Sequence, residues 1–179
     1  MASGRAHDRA TWQLALPFGL VFAPALGLAG VVSAATGFLV GGLLLSPDLD
    51  TRSNATRRWG PLRMLWWPYR HGLAHRSVLS HSPLLGTAGR LAYMAALALL
   101  ASALLATLPL GVPTPPELLA AALELWQRQR PLLLSALVGL EASSWLHLIQ
   151  DGDPLPRLPR PWRRLRPRSR TRSPARRRR

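Results

Sequence analysis

Residues 14 to 46 read LALPFGLVFAPALGLAGVVSAATGFLVGGLLLS, 33 consecutive positions without a charged side chain. Such a run either crosses a lipid bilayer or builds a very apolar core. An ordinary transmembrane helix takes about 20 residues, so the run predicts two spans, roughly 12–28 and 31–46, with a turn at Gly27 to Gly30. Two more follow. Residues 91–112, LAYMAALALLASALLATLPLGV, are long enough to cross alone, and 131–149, PLLLSALVGLEASSWLHLI, hold Glu141 and His147 within the apolar run. The fold class this predicts is all-α, an integral membrane bundle of about four transmembrane helices. The alternative is a soluble helical protein with buried core helices, which the short spans interrupted by proline and glycine keep open.

Arginine placement favours the membrane. The chain has 179 residues, a net charge of +15 and no lysine, so all 23 basic residues are arginine. Arg5 and Arg9 precede the first span, and the connection 47–90 carries Arg52, Arg57, Arg58, Arg63, Arg70, Arg76 and Arg90 against Asp48 and Asp50. Residues 153–179 add twelve arginines among six prolines. By contrast, the Gly27 to Gly30 turn is uncharged, and residues 113–130 balance Glu117 and Glu124 against Arg128 and Arg130. Four spans place every basic segment on one side, as cytoplasmic loops require. The expectation is a multi-pass inner-membrane protein with both termini cytoplasmic and its N-terminal segment retained. Residues 1–152 form the helical membrane domain, and 153–179 form a disordered tail for anionic lipid headgroups or another anionic partner. No specific nucleic acid is expected, and oligomeric state is left open. The stretch 57–70, RRWGPLRMLWWPYR, interleaves arginine with Trp59, Trp66, Trp67 and Tyr69 and reads as a loop lying at headgroup level.

Four places bring histidine or aspartate to the end of an apolar run: His7 and Asp8, then Asp48 and Asp50 in SPDLD, then His75 and His81 in HRSVLSHSP, then His147 and Asp151. In the four-span topology all four lie on the cytoplasmic side. Each has a plainer reading. His7 can be a terminal residue without function, the aspartates can stop a helix, and a pair four apart shares a helix face with or without a metal. His75 and His81 are six apart, about 120° out of line on a regular helix, so the backbone between them must turn if both meet one ion. Ser82 and Pro83 suit the N-cap and first position of the helix that follows. His71 lies four before His75, across Gly72, and Glu141 points away from the face of His147 and Asp151. A mid-span carboxylate needs a polar partner, here a second layer around the site or a loop arginine.

With no cysteine there is no disulfide, thiolate site or cysteine nucleophile. The candidate ligands are His7, Asp48, Asp50, His75, His81, His147 and Asp151, a nitrogen and oxygen set suited to zinc first, then manganese or iron, in one ion or two. Such a centre lowers the pKa of bound water to about 7 and polarises a phosphoryl or acyl oxygen. Arg76 is placed to clamp an anionic group, and Asp50 or Asp8 to act as base.

The ordered set of His7, PDLD at 47–50, HRSVLSHSP at 75–83 and GLEASSWLHLIQD at 139–151 resembles a bacterial group of uncharacterised, predicted metal-binding integral membrane proteins. It is more distantly similar to predicted membrane-bound metal-dependent hydrolases, whose pattern runs His, Asp-x-Asp, His-Arg-Gly-x-Thr-His-Ser and His-x-x-x-Asp. More distantly still it looks like the zinc-dependent phospholipase C and single-strand nuclease group. The resemblance covers residues 1 to about 152 and implies a metal-dependent hydrolase acting on a phosphate-containing or lipid-like substrate. The rival expectation is a non-enzymatic membrane protein whose metal ties helix ends together.

Overall fold

A computed structural model describes residues 2–73 and 77–152. His75, Arg76 and the arginine tail from 153 onward lie outside the described residues.

The long apolar run folds as a helical hairpin. Helix α1 (Gly4–Leu20) begins where the Ser3 hydroxyl accepts from the Ala6 amide, satisfying one of the free amides that open a helix. Helix α2 (Ala23–Leu43) follows after two residues and breaks at Gly27, whose φ of 60° and ψ of −155° lie outside helical space. That backbone conformation suits glycine. The reversal thus begins at Val21, six residues before the expected turn, and ends at Gly27. α1 and α2 are antiparallel: a side chain at Gly19 would strike the Val31 carbonyl, and one at Gly42 would strike Thr11.

Helix α7 (Pro115–Gln150) packs along α2. It opens with a capping box, in which the Thr114 amide and hydroxyl both donate to the Glu117 carboxylate at 2.8 Å. It bends at Gln129, next to Pro131, where proline removes a helix hydrogen bond and crowds the preceding turn. Beyond the bend α2 and α7 run parallel and almost touch. A Cβ on Gly37 would lie 2.0 Å from the Ala136 carbonyl, and one on Gly139 would lie 2.2 Å from the Ala34 carbonyl. Small residues spaced this way let apolar helices gain dispersion contacts without the help of water.

Between α2 and α7 the chain builds a cap. After the 3₁₀ turn Pro47–Asp50 come α3 (Asn54–Arg58), a second 3₁₀ segment Gly60–Trp66, α4 (Trp67–Gly72) and the single-turn α5 (Val78–His81). Trp66 and Tyr69 pack with Leu45, Leu49, Ala55 and Leu140 in the core. The stretch expected to lie at headgroup level is thus two-sided, with Trp66 and Tyr69 facing inward. Trp67 is 51% exposed and keeps the outward orientation.

Helix α6 (Leu85–Leu105) starts six residues before and ends seven before the expected 91–112 span. Apolar sequence continues, but Pro109 and the positive φ of Gly111 fall where the helix has already stopped. Its start is not capped by Ser82. Leu84 precedes it at φ 61°, and its amide donates to Glu141 Oε1 at 2.8 Å. Among the described residues, Glu141 thus finds a partner in the amide that precedes α6.

Among the described residues the structure is all-α, and three helical stretches are long and apolar enough to cross a membrane: Ala23–Asp50, Leu85–Leu105 and Pro115–Gln150. The first expected span, 12–28, is divided between α1 and the start of α2.

Candidate metal centre

The polar groups gather where α1 starts and where α2 and α7 end. Pro47–Asp50 shows how the sequence does this. Ser46 caps the turn, accepting from the Asp48 amide, and Pro47 fixes the next φ. Leu49 is fully buried and anchors the turn in the core. The two aspartates on either side of it meet histidines. The Thr51 hydroxyl donates to the Asp48 carbonyl at 3.0 Å, and the Thr56 hydroxyl donates to the Thr51 carbonyl at 2.7 Å, so the turn is braced from outside.

His7, His147 and Asp151 each offer a ligand atom, all within 4.8 Å of one another. The two imidazoles stack with centroids 3.9 Å apart, and His7 Nε2 lies 3.2 Å from Asp151 Oδ1. His147 Nε2 is buried with no hydrogen-bond partner, yet carboxylate oxygens of Asp48 and Asp151 stand 3.4 and 3.8 Å away. A buried nitrogen left without a hydrogen bond costs free energy; one facing two carboxylates fits the coordination of a divalent cation.

The remaining ring nitrogens have outer partners. His7 Nδ1 lies 2.7 Å from Gln150 Oε1 and His147 Nδ1 lies 3.5 Å from Ser46 Oγ, so were each Nε2 to hold an ion, each Nδ1–H would face one of these oxygens. Such partners fix tautomer and ring orientation at metal sites. The Ala2 amide also donates to Asp151 Oδ1 at 3.2 Å.

A second group adjoins the first through Asp48. His81 Nε2 is 4.0 Å from Asp48 Oδ1, and His81 Nδ1 is 3.4 Å from Asp50 Oδ2. The Ser80 hydroxyl lies 2.9 Å from His81 Nδ1. Arg90, which the sequence places among the loop charges, is instead 1% exposed. Its guanidinium donates to the Ser80 carbonyl at 3.0 Å, Thr87 Oγ1 at 3.0 Å and Ser144 Oγ at 2.9 Å, fixing α5 and thus His81 against α6 and α7.

Of the seven candidate ligands and the anion clamp Arg76, eight residues in all, His7, Asp48, Asp50, His81, His147 and Asp151 therefore share one region. The other two, His75 and Arg76, lie outside the described residues. Asp8 turns elsewhere, pairing with Arg58 at 2.6 Å and accepting from Asn54 at 3.1 Å. His71 is exposed and its Nδ1 lies 2.9 Å from the Trp67 carbonyl. Sequence reasoning missed Gln150, Ser46, Ser80 and Arg90. For Arg90 a signal existed, a lone cation directly against an apolar run, whereas hydroxyls and amides as common as the others carry none.

A family profile described as "Uncharacterized metal-binding protein (DUF2227)" matches residues 2–157. A curated relative from Aquifex aeolicus (strain VF5), described as an uncharacterized protein, is 42% identical over 59 residues, which is 32% of this chain and 41% of the relative. The matched segment thus spans about two fifths of that protein's length. No solved structure matches the chain.

Proposed function

Since the chain belongs to this family of uncharacterized metal-binding proteins, we propose that it holds its ion at His7, His147 and Asp151 and works as a membrane-bound, metal-dependent hydrolase. Its substrate would be a phosphate-containing or lipid-like molecule reached from the cytoplasmic face. The observation that carries this reading is the position of Asp48, whose Oδ1 lies 3.4 Å from His147 Nε2 and 4.0 Å from His81 Nε2. A carboxylate standing between two groups of donors suits a centre of two ions, with Asp50 and His81 on the second side. Zinc fits best, then manganese or iron. When bound, the metal supplies Lewis acidity and a water acidified to a pKa of about 7.

The protein's own residues provide position and access. Side chains of His7, His81, His147, Asp50 and Asp151 are at most 8% exposed, whereas Asp48 is 25% exposed, so substrate approaches over Asp48. Catalytic zinc sites keep one such open side. Gln150 and Ser46 orient the imidazoles, and Arg90 holds the segment carrying His81. In this reading His75 completes the donors and Arg76 receives the anionic part of the substrate.

Burial of His7, His147 and Asp151 supports a second reading, a structural ion tying the start of the chain to the end of α7. The two separate experimentally. Protein purified in detergent without chelator is measured by elemental analysis and assayed on phosphodiester, phosphomonoester and ester substrates, beside His147→Ala. Metal in the wild type, its loss in the variant and metal-dependent turnover support the hydrolase. Metal without turnover on any substrate establishes the structural reading. A metal-free wild type that takes up no zinc, manganese or iron overturns both.

A further inference from the structure

The cap carries a second polar site, away from the histidines. A cleft of about 680 Å3 is walled by Arg52, Arg57, Arg63 and Arg70 together with Met64 and Trp67. The arginines come from four successive pieces of chain: the link after the aspartate turn, α3, the second 3₁₀ segment and α4. No carboxylate lines the cleft, and among the described residues none of the four makes an ion pair. Their neighbour Arg58 shows the contrast, since it is neutralised by Asp8 at 2.6 Å.

Four like charges converging on one concave space repel one another, and the cleft walls concentrate their field. An anion removes that cost. Guanidinium groups match the oxygens of phosphate through paired hydrogen bonds. The mouth also names the source. Met64 and Trp67, which line the cleft, are 66% and 51% exposed, the pairing of apolar surface and cation expected where a protein meets headgroups and acyl chains. We propose that this cleft binds the phosphate group of an anionic lipid headgroup. The proposal does not depend on hydrolysis.

Detergent-solubilised full-length protein is titrated calorimetrically with dioctanoyl phosphatidic acid, dioctanoyl phosphatidylcholine and inorganic phosphate. Phosphatidic acid should bind at least about tenfold more tightly than the other two. Arg63→Gln with Arg70→Gln should weaken it by about tenfold or more, while Arg5→Gln with Arg9→Gln, an equal charge loss on α1, should change it less than about twofold. The arginine tail is the same in every protein compared. Should the first pair fail to fold, Arg52→Gln with Arg57→Gln tests the other two arginines of the lining. Equal affinity for inorganic phosphate overturns the lipid assignment, and equal weakening by both pairs overturns the cleft as the site. Metal content should be the same in all variants, which separates failure here from failure of the metal reading.

Discussion

At the residue scale the centre is a problem of buried nitrogen. His7 and His147 are 6% and 4% exposed, and imidazoles so placed need partners on both ring nitrogens. His7→Ala and His147→Ala should each abolish stoichiometric metal binding, read by elemental analysis. Gln150→Leu is the more discriminating variant, because it leaves every proposed ligand in place and removes only the acceptor for His7 Nδ1–H. It should weaken metal affinity by about tenfold to a hundredfold, the usual effect of losing such an outer partner; unchanged affinity in a competition titration with a chelating dye would deny Gln150 that role. Arg90→Met should cost about 3 kcal/mol of stability in thermal unfolding, because three acceptors lose a buried donor. Histidines and aspartates at run ends were legible in the sequence because burying them is costly without a purpose. Gln150 was not, since an amide's role is set by what the fold puts opposite it.

The elements carry a different lesson. Hydropathy locates apolar residues, while backbone chemistry decides where a helix starts and stops, so the 91–112 expectation was right about a helix and wrong at both ends. Arg90 reads as an edge in composition yet sits one turn inside α6, its charge spread over a carbonyl and two hydroxyls. The α2–α7 seam was hidden for a related reason: Gly37, Gly41 and Gly139 read as turn-formers or gaps in a span until a neighbouring backbone is seen against them. A Cβ at Gly41 would lie 2.1 Å from Ser143 Oγ and 2.6 Å from the Leu140 carbonyl. Gly41→Leu should therefore destabilise the fold by about 3 kcal/mol, the upper range of overpacking. By prying the end of α2 from α7 it should also lower metal occupancy, although no ligand is altered. Gly72→Ala, with nothing within 4 Å of the added carbon, should leave both unchanged. If Gly41→Leu loses stability but keeps full metal binding, the seam does not position the centre.

For the whole molecule, the arrangement of helix ends makes a topological prediction that the absence of cysteine renders easy to test. α1 and α2 form an antiparallel hairpin whose closed end, at Leu28, is 78% exposed and whose open end holds His7 and Asp48. From Leu28 to Ser46 the chain climbs about 27 Å if helical throughout, close to the hydrocarbon thickness of a bilayer of about 30 Å. The closed end is uncharged, whereas the open end joins the cap with its arginines, so the basic end should face the cytoplasm. Leu28→Cys should react with a membrane-impermeant maleimide added to intact spheroplasts, and Arg57→Cys only after the membrane is permeabilised. If both react without permeabilisation, the hairpin does not cross as proposed and the metal centre loses its cytoplasmic address. If both require permeabilisation, the hairpin does not cross the bilayer, and neither does α7, which packs along α2. The expected split would place the ion at one membrane surface, within reach of both headgroups and soluble phosphates.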